Sequence, residues 1–386
     1  MQKNKSKKTL HIFGWASFLN DFGSNIIFPL WPIFLTSVLG ANMAIIGFID
    51  GLGDAIVSIS QAISGYIADK KGKYKIFIWL GYVFAGLSRI GYALSPTWQY
   101  IIPFRILDRS GKMRGAPRDA IIADISTDQD RATNFGYLHM MDNLGAVSGV
   151  IFTILFFKHL GYQNIFIFAA IPSLIGAFLI FRTIKEVKND KKIFKGITFK
   201  DFHRDLKLYI LLSTIFALSS FSYSFLLIYA QQFGFTVVVI PVLFLFYNIV
   251  ASAVSLPFGK LADRINRKPV LILSFIFWLA ACFVFIYFHN LPGIIIGFLL
   301  YGLHLGAIGP TQKALVSELA VPELRASTIG SFQMVTGLAA LPASLVAGLL
   351  WDRIGITAPF YFSAILTIIA IVILLFVQEK KKLDIV

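Results

Sequence analysis

Ionisable side chains stand in this chain where the surrounding sequence is almost wholly apolar. Asp21, Asp50, Asp54, Arg89, Arg105, Asp108, Arg109 and Asp142 all interrupt long runs of Val, Ile, Leu, Phe and Ala in the first half. A charge in hydrocarbon costs about 2.5–3.5 kcal/mol or more, so it persists where it pairs, faces water or serves a pathway. Five carboxylates stand here against three arginines, and pairing cannot neutralise them all. Burial raises a carboxyl pKa and a nearby Arg lowers it, so a partly paired Asp changes protonation as its surroundings open and close. That is the chemistry of proton coupling, expected on Asp21, Asp142 and Asp54. The competing expectations are structural: Asp21 as a partner of Arg105, and Asp50 and Asp54 as hydrogen-bond acceptors between packed helices.

Arg105, Asp108, Arg109 and Lys112 recur at i, i+3, i+4 and i+7, which makes them one stripe of a helix. Arg105, nearest mid-depth, suits an anionic group of a bound solute or a switching partner for Asp21. With Asn20, Asp108 and, in the second half, His304, it is expected to line a substrate cavity. Lys112, Arg114 and Arg118 are expected to reach cytoplasmic water. His304 is a lone histidine, for which packing competes with a ligand role. The sequence assembles no Ser-His-Asp set and no phosphate-binding Gly-Lys-Ser/Thr loop, and its six histidines do not cluster. An enzyme, a metal site, a cofactor and ATP are therefore not expected.

These charges need elements that cross a membrane. The chain has 386 residues, 57% hydrophobic, 15% aromatic and 14% charged. Runs of roughly 20 apolar residues span a bilayer as helix, and about twelve candidates occur: 10–35, 43–68, 75–94, 97–118, 130–158, 162–184, 207–230, 236–259, 269–290, 291–312, 325–350 and 356–378. The net charge of +15 suggests nucleic acid until the charges are placed. Lys3, Lys5, Lys7 and Lys8 precede the first run, Lys70, Lys71, Lys73 and Lys75 follow the second, and Lys260, Arg264, Arg267 and Lys268 follow the eighth. The alternate loops hold almost no Lys or Arg, which puts both termini in the cytoplasm. Asn20 and Asp21 inside the first run argue for a retained helix rather than a signal peptide. Cys282 stands alone, so no disulfide framework is available. The polar, basic stretch 185–206 reads as a cytoplasmic linker attracted to anionic head groups, between lobes at 1–184 and 207–386.

The second half repeats the first. Gly65, Asp69, Lys70, Gly72 and Lys73 return as Gly259, Asp263, Arg264, Asn266 and Arg267; the same shift carries Asp124 onto Glu318 and Arg131 onto Arg325 without a gap. Internal duplication in hydrophobic sequence marks a two-lobed transporter with its substrate between repeats.

In this doubled loop motif the chain resembles the major facilitator superfamily over nearly its whole length. Arg105, Asp108, Arg109 and Gly111 are similar to the family's fourth-helix motif, with Asp108 and Arg109 standing where Gln and Gly are usual. The resemblance implies an all-α membrane protein of about twelve helices in two pseudo-symmetric six-helix lobes. It also implies a cytoplasmic latch on each lobe: Asp69, Lys73, Asp124 and Arg131 in one, Asp263, Arg267, Glu318 and Arg325 in the other. Asp21, followed by Phe28-Pro29-Leu30-Trp31-Pro32, resembles the first-helix pattern of proton-coupled exporters, which makes it the first choice for the proton. Gly145 and Gly149 lie where antiporters carry a Gly-Pro-rich motif, although helix packing explains them equally well. Aromatic residues of the seventh run, such as Phe221 and Tyr223, suit either a solute-facing wall or a lipid face.

The expected protein is a monomeric, multi-pass transporter of the cell inner membrane. It exchanges protons for a small organic solute by alternating access, with lipid, solute and protons as its partners and no nucleic acid. Proton-coupled uptake is the nearest alternative, and a non-transporting receptor or lipid scramblase of the same fold is the alternative of another class.

Overall fold

The computed structural model describes residues 2–126, 131–184, 203–320 and 325–378. Most of the 185–206 linker therefore lies outside the described residues, as do the side chains of Asp69, Arg131 and Arg325. Among the described residues there are helices and no strand. In chain order these are α1 (Gln2–Ile27), α2 (Trp31–Ile33), α3 (Met43–Lys71), α4 (Lys75–Leu94), α5 (Trp98–Ser110), α6 (Gly115–Ile125) and α7 (Arg131–Thr183). The second half holds α8 (Arg204–Ser219), α9 (Tyr223–Gln232), α10 (Ile240–Ile265), α11 (Arg267–Tyr287), α12 (Leu291–Leu319), α13 (Arg325–Arg353) and α14 (Ala358–Phe376).

Nine helical stretches among the described residues are long and apolar enough to cross a membrane. The longest of them, within α7, turns at Gly161 (φ 67°), a left-handed conformation that suits glycine, and so contains two crossings. The charge-bearing α1 and the α5–α6 pair complete the all-α, twelve-crossing architecture. Several expected spans are broken helices. Pro29 and Pro32 interrupt the first, where α1 gives way to α2 and a π-helical turn at Phe34–Val38. A 3-10 turn at Gly111–Arg114 separates α5 from α6. Backbones touch there: a Cβ on Gly81 would lie 2.5 Å from the Gly111 carbonyl oxygen.

The chain forms two compact units. In the first (Met1–Ala41, Leu52–Phe194, Val237–Pro241) α1 lies along α7 and α4 packs on both α5 and α7. Gly145 and Gly149 make the α1–α7 approach possible, since a Cβ on either would come within 2.4 Å and 2.3 Å of the Phe18 and Phe22 carbonyl oxygens. Thr153 then donates to the Ile26 carbonyl at 2.8 Å. Small residues let helix backbones close where lipid supplies no hydrophobic drive. The Gly145/Gly149 pair is thus a packing device.

The second unit (Asn42–Gly51, Lys195–Thr236, Val242–Val386) takes in the first turns of α3, unlike the expected lobe boundary. The cause is close packing on α13. A Cβ on Gly47 would fall 1.9 Å from the Ser344 carbonyl oxygen, and one on Gly348 2.2 Å from that of Met43. Asp352 accepts from the amides of Met43 and Ala44 at 3.1 and 2.8 Å, capping the start of α3 with a negative charge. In the same unit Phe216 stacks on Phe275, and Tyr229, Phe285 and Phe360 form an interlocked aromatic core.

Candidate functional site

Arg89 on α4 is 1% exposed and organises the interior of the first unit. Its Nη1 donates to the Ala169 carbonyl at 2.7 Å and Ser173 Oγ at 2.5 Å; its Nη2 donates to Ser24 Oγ at 2.7 Å and the Asn20 carbonyl at 3.2 Å. Each of these acceptors is neutral. The guanidinium ties α1 to α7, and Gly23 leaves room for it, since a Cβ there would meet Nη1 at 2.2 Å. Asn20 is held in this network: it accepts from Ser173 at 3.1 Å and donates to Asp21 Oδ1 at 2.9 Å. The structure thus places Asn20 and Asp21 side by side, with Asn20 locked and Asp21 half-buried.

A small cavity opens beside Arg89, walled by Ser24, Phe28, Trp31, Tyr92, Arg105 and Asp108. The break between α1 and α2 turns Phe28 and Trp31 towards it, and each carries a cation on its face. The Arg105 guanidinium lies 4.5 Å from the Trp31 ring centre and that of Arg109 lies 5.5 Å from the Phe28 ring. Such stacking contributes about 0.5–2 kcal/mol, more when desolvated. Both arginines lie against Gly53 of α3, where a Cβ would come 2.9 Å from Arg105 Nε and 3.2 Å from Arg109 Nε. Asp108 lies 3.5 Å from Ser88 Oγ and 3.7 Å from Arg109 Nε. Arg105 and Asp108 are therefore brought together on this cavity.

A second charged group links α6, α1 and α7. Arg118 donates to Ser17 Oγ at 2.7 Å, pairs with Asp119 at 3.0 Å, and places Nη1 3.8 Å from Asp142 Oδ2. Asp142 Oδ1 is buried and without a hydrogen-bond partner. Arg114, 6% exposed, covers the Tyr82 ring at 4.9 Å and donates to the Gly111 carbonyl. This corrects the expectation that Arg114 and Arg118 reach cytoplasmic water. The 3-10 turn carries Arg114 itself inward and resets the helix phase, so that Arg118 on α6 points inward as well. Sequence periodicity cannot show this, because it assumes one uninterrupted helix.

The remaining predicted residues lie apart. Asp54 is exposed on α3, whereas Asp50 is 2% exposed and accepts from Ser222 and Ser224 Oγ at 2.7 and 2.5 Å within the second unit. That serine pair was not singled out in the sequence; its Ser-x-Ser spacing at the start of α9 is the only signal. His304 is buried against Phe216 and Trp278, with Nδ1 2.9 Å from Ser274 Oγ. Of the residues expected to latch the second unit, Arg267 bridges two carboxylates, meeting Asp263 and Glu318 each at 3.1 Å. Of the first-unit latch, Lys73 and Asp124 are described and exposed.

Among the described residues no group of acidic, His or Cys side chains could hold a metal. Comparison with known proteins is consistent across the whole chain. The family model described as Major Facilitator Superfamily matches residues 13–254 and 208–385. An MFS-type transporter of Methanocaldococcus jannaschii is 38% identical, with 98% of each chain covered. Multidrug resistance protein 1 of Bacillus subtilis is 25% identical, with 95% of each covered. The crystal structure of the nucleoside transporter NupG superposes with a TM-score of 0.77 at 16% identity, covering 95% of this chain and 97% of the other.

Proposed function

This chain belongs to the Major Facilitator Superfamily, and from that premise we propose that it exports a small organic solute across the cell membrane in exchange for protons. The observation that carries the coupling is the incomplete compensation of Asp142. One of its oxygens is buried without a hydrogen-bond partner, and the nearest cation to the other stands off at 3.8 Å. Ionisation there is neither fully solvated nor fully paired, so the group is suited to take up and release a proton. Asp21 lies on the neighbouring helix, where Asn20 donates to its Oδ1 at 2.9 Å, and is proposed as the second member of the relay. Asp54, exposed on α3, is a third acid that can exchange protons with water. The cavity of Arg105 and Asp108 receives the solute, and the latches around Asp263, Arg267 and Glu318, and around Asp69, Lys73, Asp124 and Arg131, with Arg325, gate the cytoplasmic side.

Relatives over nearly the full length include multidrug resistance proteins of Bacillus subtilis and a maltose permease of Geobacillus stearothermophilus, so export is the direction proposed and flux decides it. The protein acts as a multi-pass monomer with cytoplasmic termini and no catalytic chemistry. The test is ΔpH-driven flux in oriented vesicles. Export drives solute into inside-out vesicles that are acid inside, and uptake drives it into right-side-out vesicles acidified outside.

A further inference from the structure

A cavity of about 660 Å³ runs along α1 beside the last turns of α7, and none of the residues assigned to solute or proton lines it. Cavities that hold organic ligands measure about 300–1,000 Å³. One wall is a single stripe of α1, since Lys8, Ile12, Trp15 and Leu19 follow at spacings of four, three and four. Lys7 and His11 flank that stripe, and Leu179 of α7 stands opposite. The lining is ordered by polarity along the helix. Lys7, Lys8 and His11, all exposed, form the end nearest the start of α1, and the remaining side chains form an apolar end. At 1.5 Å per residue the stretch from Lys8 to Leu19 covers about 16 Å. Among the described residues no acidic side chain lines the cavity. The Tyr137 hydroxyl lies 3.0 Å from His11 Nδ1, and the two rings meet edge to face, which fixes the imidazole where the basic end meets the apolar one. Trp15 is 53% exposed, as suits an indole at the depth where headgroups give way to hydrocarbon. The neighbouring end of α7 has the same character: Phe181 is exposed, packs edge-on to Trp79 and carries the Lys75 ammonium 5.1 Å from its ring centre, with Arg182 exposed beside it.

We propose that this cavity is a binding site for one anionic phospholipid, its phosphate held by Lys7, Lys8 and His11 and an acyl chain laid along Ile12, Trp15, Leu19 and Leu179. The order of the lining, basic then apolar, is the order of a phospholipid from headgroup to chain. A free phosphate would use only the basic end, and an acidic soluble protein cannot follow α1 past Trp15 into hydrocarbon. The alternation of charged loops expects this end of α1 at the cytoplasmic face, where anionic lipids gather and each Lys or Arg near the surface contributes about 1 kcal/mol of attraction. Bound there, the lipid braces the start of α1 against the end of α7, where Leu10 and Phe13 already pack with Ile180 and Ile184. The assignment stands apart from the direction and coupling of transport.

The purified full chain in dodecyl maltoside is titrated with dioleoylphosphatidylglycerol, dioleoylphosphatidylcholine or inorganic phosphate, and binding is read by native mass spectrometry and thermal shift. Saturable retention of phosphatidylglycerol at least tenfold tighter than phosphatidylcholine, with no comparable stabilisation by inorganic phosphate, is the expected result. Lys7→Gln combined with Lys8→Gln is expected to weaken phosphatidylglycerol binding at least fivefold, and Trp15→Ala to weaken it severalfold by removing part of the apolar wall. Lys260→Gln combined with Lys313→Gln removes the same charge from exposed positions of the second unit and is expected to leave binding within twofold. Equal retention of the two lipids, no retention of either, stabilisation by inorganic phosphate alone, or equal weakening by the two double variants would overturn the assignment. Lys7 and Lys8 are exposed, so their substitution leaves the packing intact; should Trp15→Ala fail to fold, the double lysine variants decide.

Discussion

Asp142 and Arg118 set the electrical character of the first unit more than any motif does. Their 3.8 Å separation is too long for a tight ion pair, and it leaves the carboxylate incompletely compensated inside the bundle. Asp142→Asn removes the ionisable group at nearly constant volume. It is expected to abolish ΔpH-driven accumulation while sparing solute counterflow, which needs no proton movement; equal loss of both would point to a structural role. Asp21→Asn is expected to act in the same direction and to be less severe, because Asn20 and the Arg89 network remain in place. Asp50 offers a contrast: it accepts from two serine hydroxyls, and Asp50→Ala removes that acceptor at a cost of about 1–3 kcal/mol, read as a lower melting temperature.

Helices carry the next level of control. The α1–α7 contact depends on glycines as well as on side-chain contacts. Gly149→Val would force a carbonyl contact now 2.3 Å from the missing Cβ and should destabilise the protein by about 1–3 kcal/mol. Gly136→Ala on the same helix meets nothing within 4 Å and serves as the neutral control. The phase reset at Gly111–Arg114 shows where sequence reading stops. The stripe of Arg105, Asp108 and Arg109 was legible because α5 is a regular helix up to Ser110. Arg114 and Arg118 were not, because a 3-10 turn changes the angle per residue. Nor was Gly53 legible as the seat of two arginines, since nothing local distinguishes it from any other helical glycine. The aromatic cradles were half legible: the prolines that break the first span are plain in the sequence, but the direction in which they turn Phe28 and Trp31 is not.

At the scale of the molecule, the duplicated loop motif and the alternation of charged and uncharged loops were sufficient for the all-α, twelve-crossing fold. The membership of residues 42–51 in the second unit was not accessible to them, because it depends on glycine-to-carbonyl contacts with α13. The latch residues belong to this scale too. Arg267 bridges Asp263 and Glu318 near the ends of α10 and α12, and Arg267→Gln is expected to slow transport severalfold while leaving the affinity for a transported dye within twofold. Loss of affinity of the same size would place Arg267 in binding rather than gating.

The most direct test of proton-driven export is uptake of carboxyfluorescein and ethidium, as anionic and cationic dyes, into inside-out vesicles energised acid inside. Accumulation of either dye that disappears when the pH gradient and potential are collapsed, and that is absent in Asp142→Asn vesicles, is the predicted result. Dye equilibration at the same rate in collapsed vesicles, or accumulation unchanged in Asp142→Asn, would contradict it.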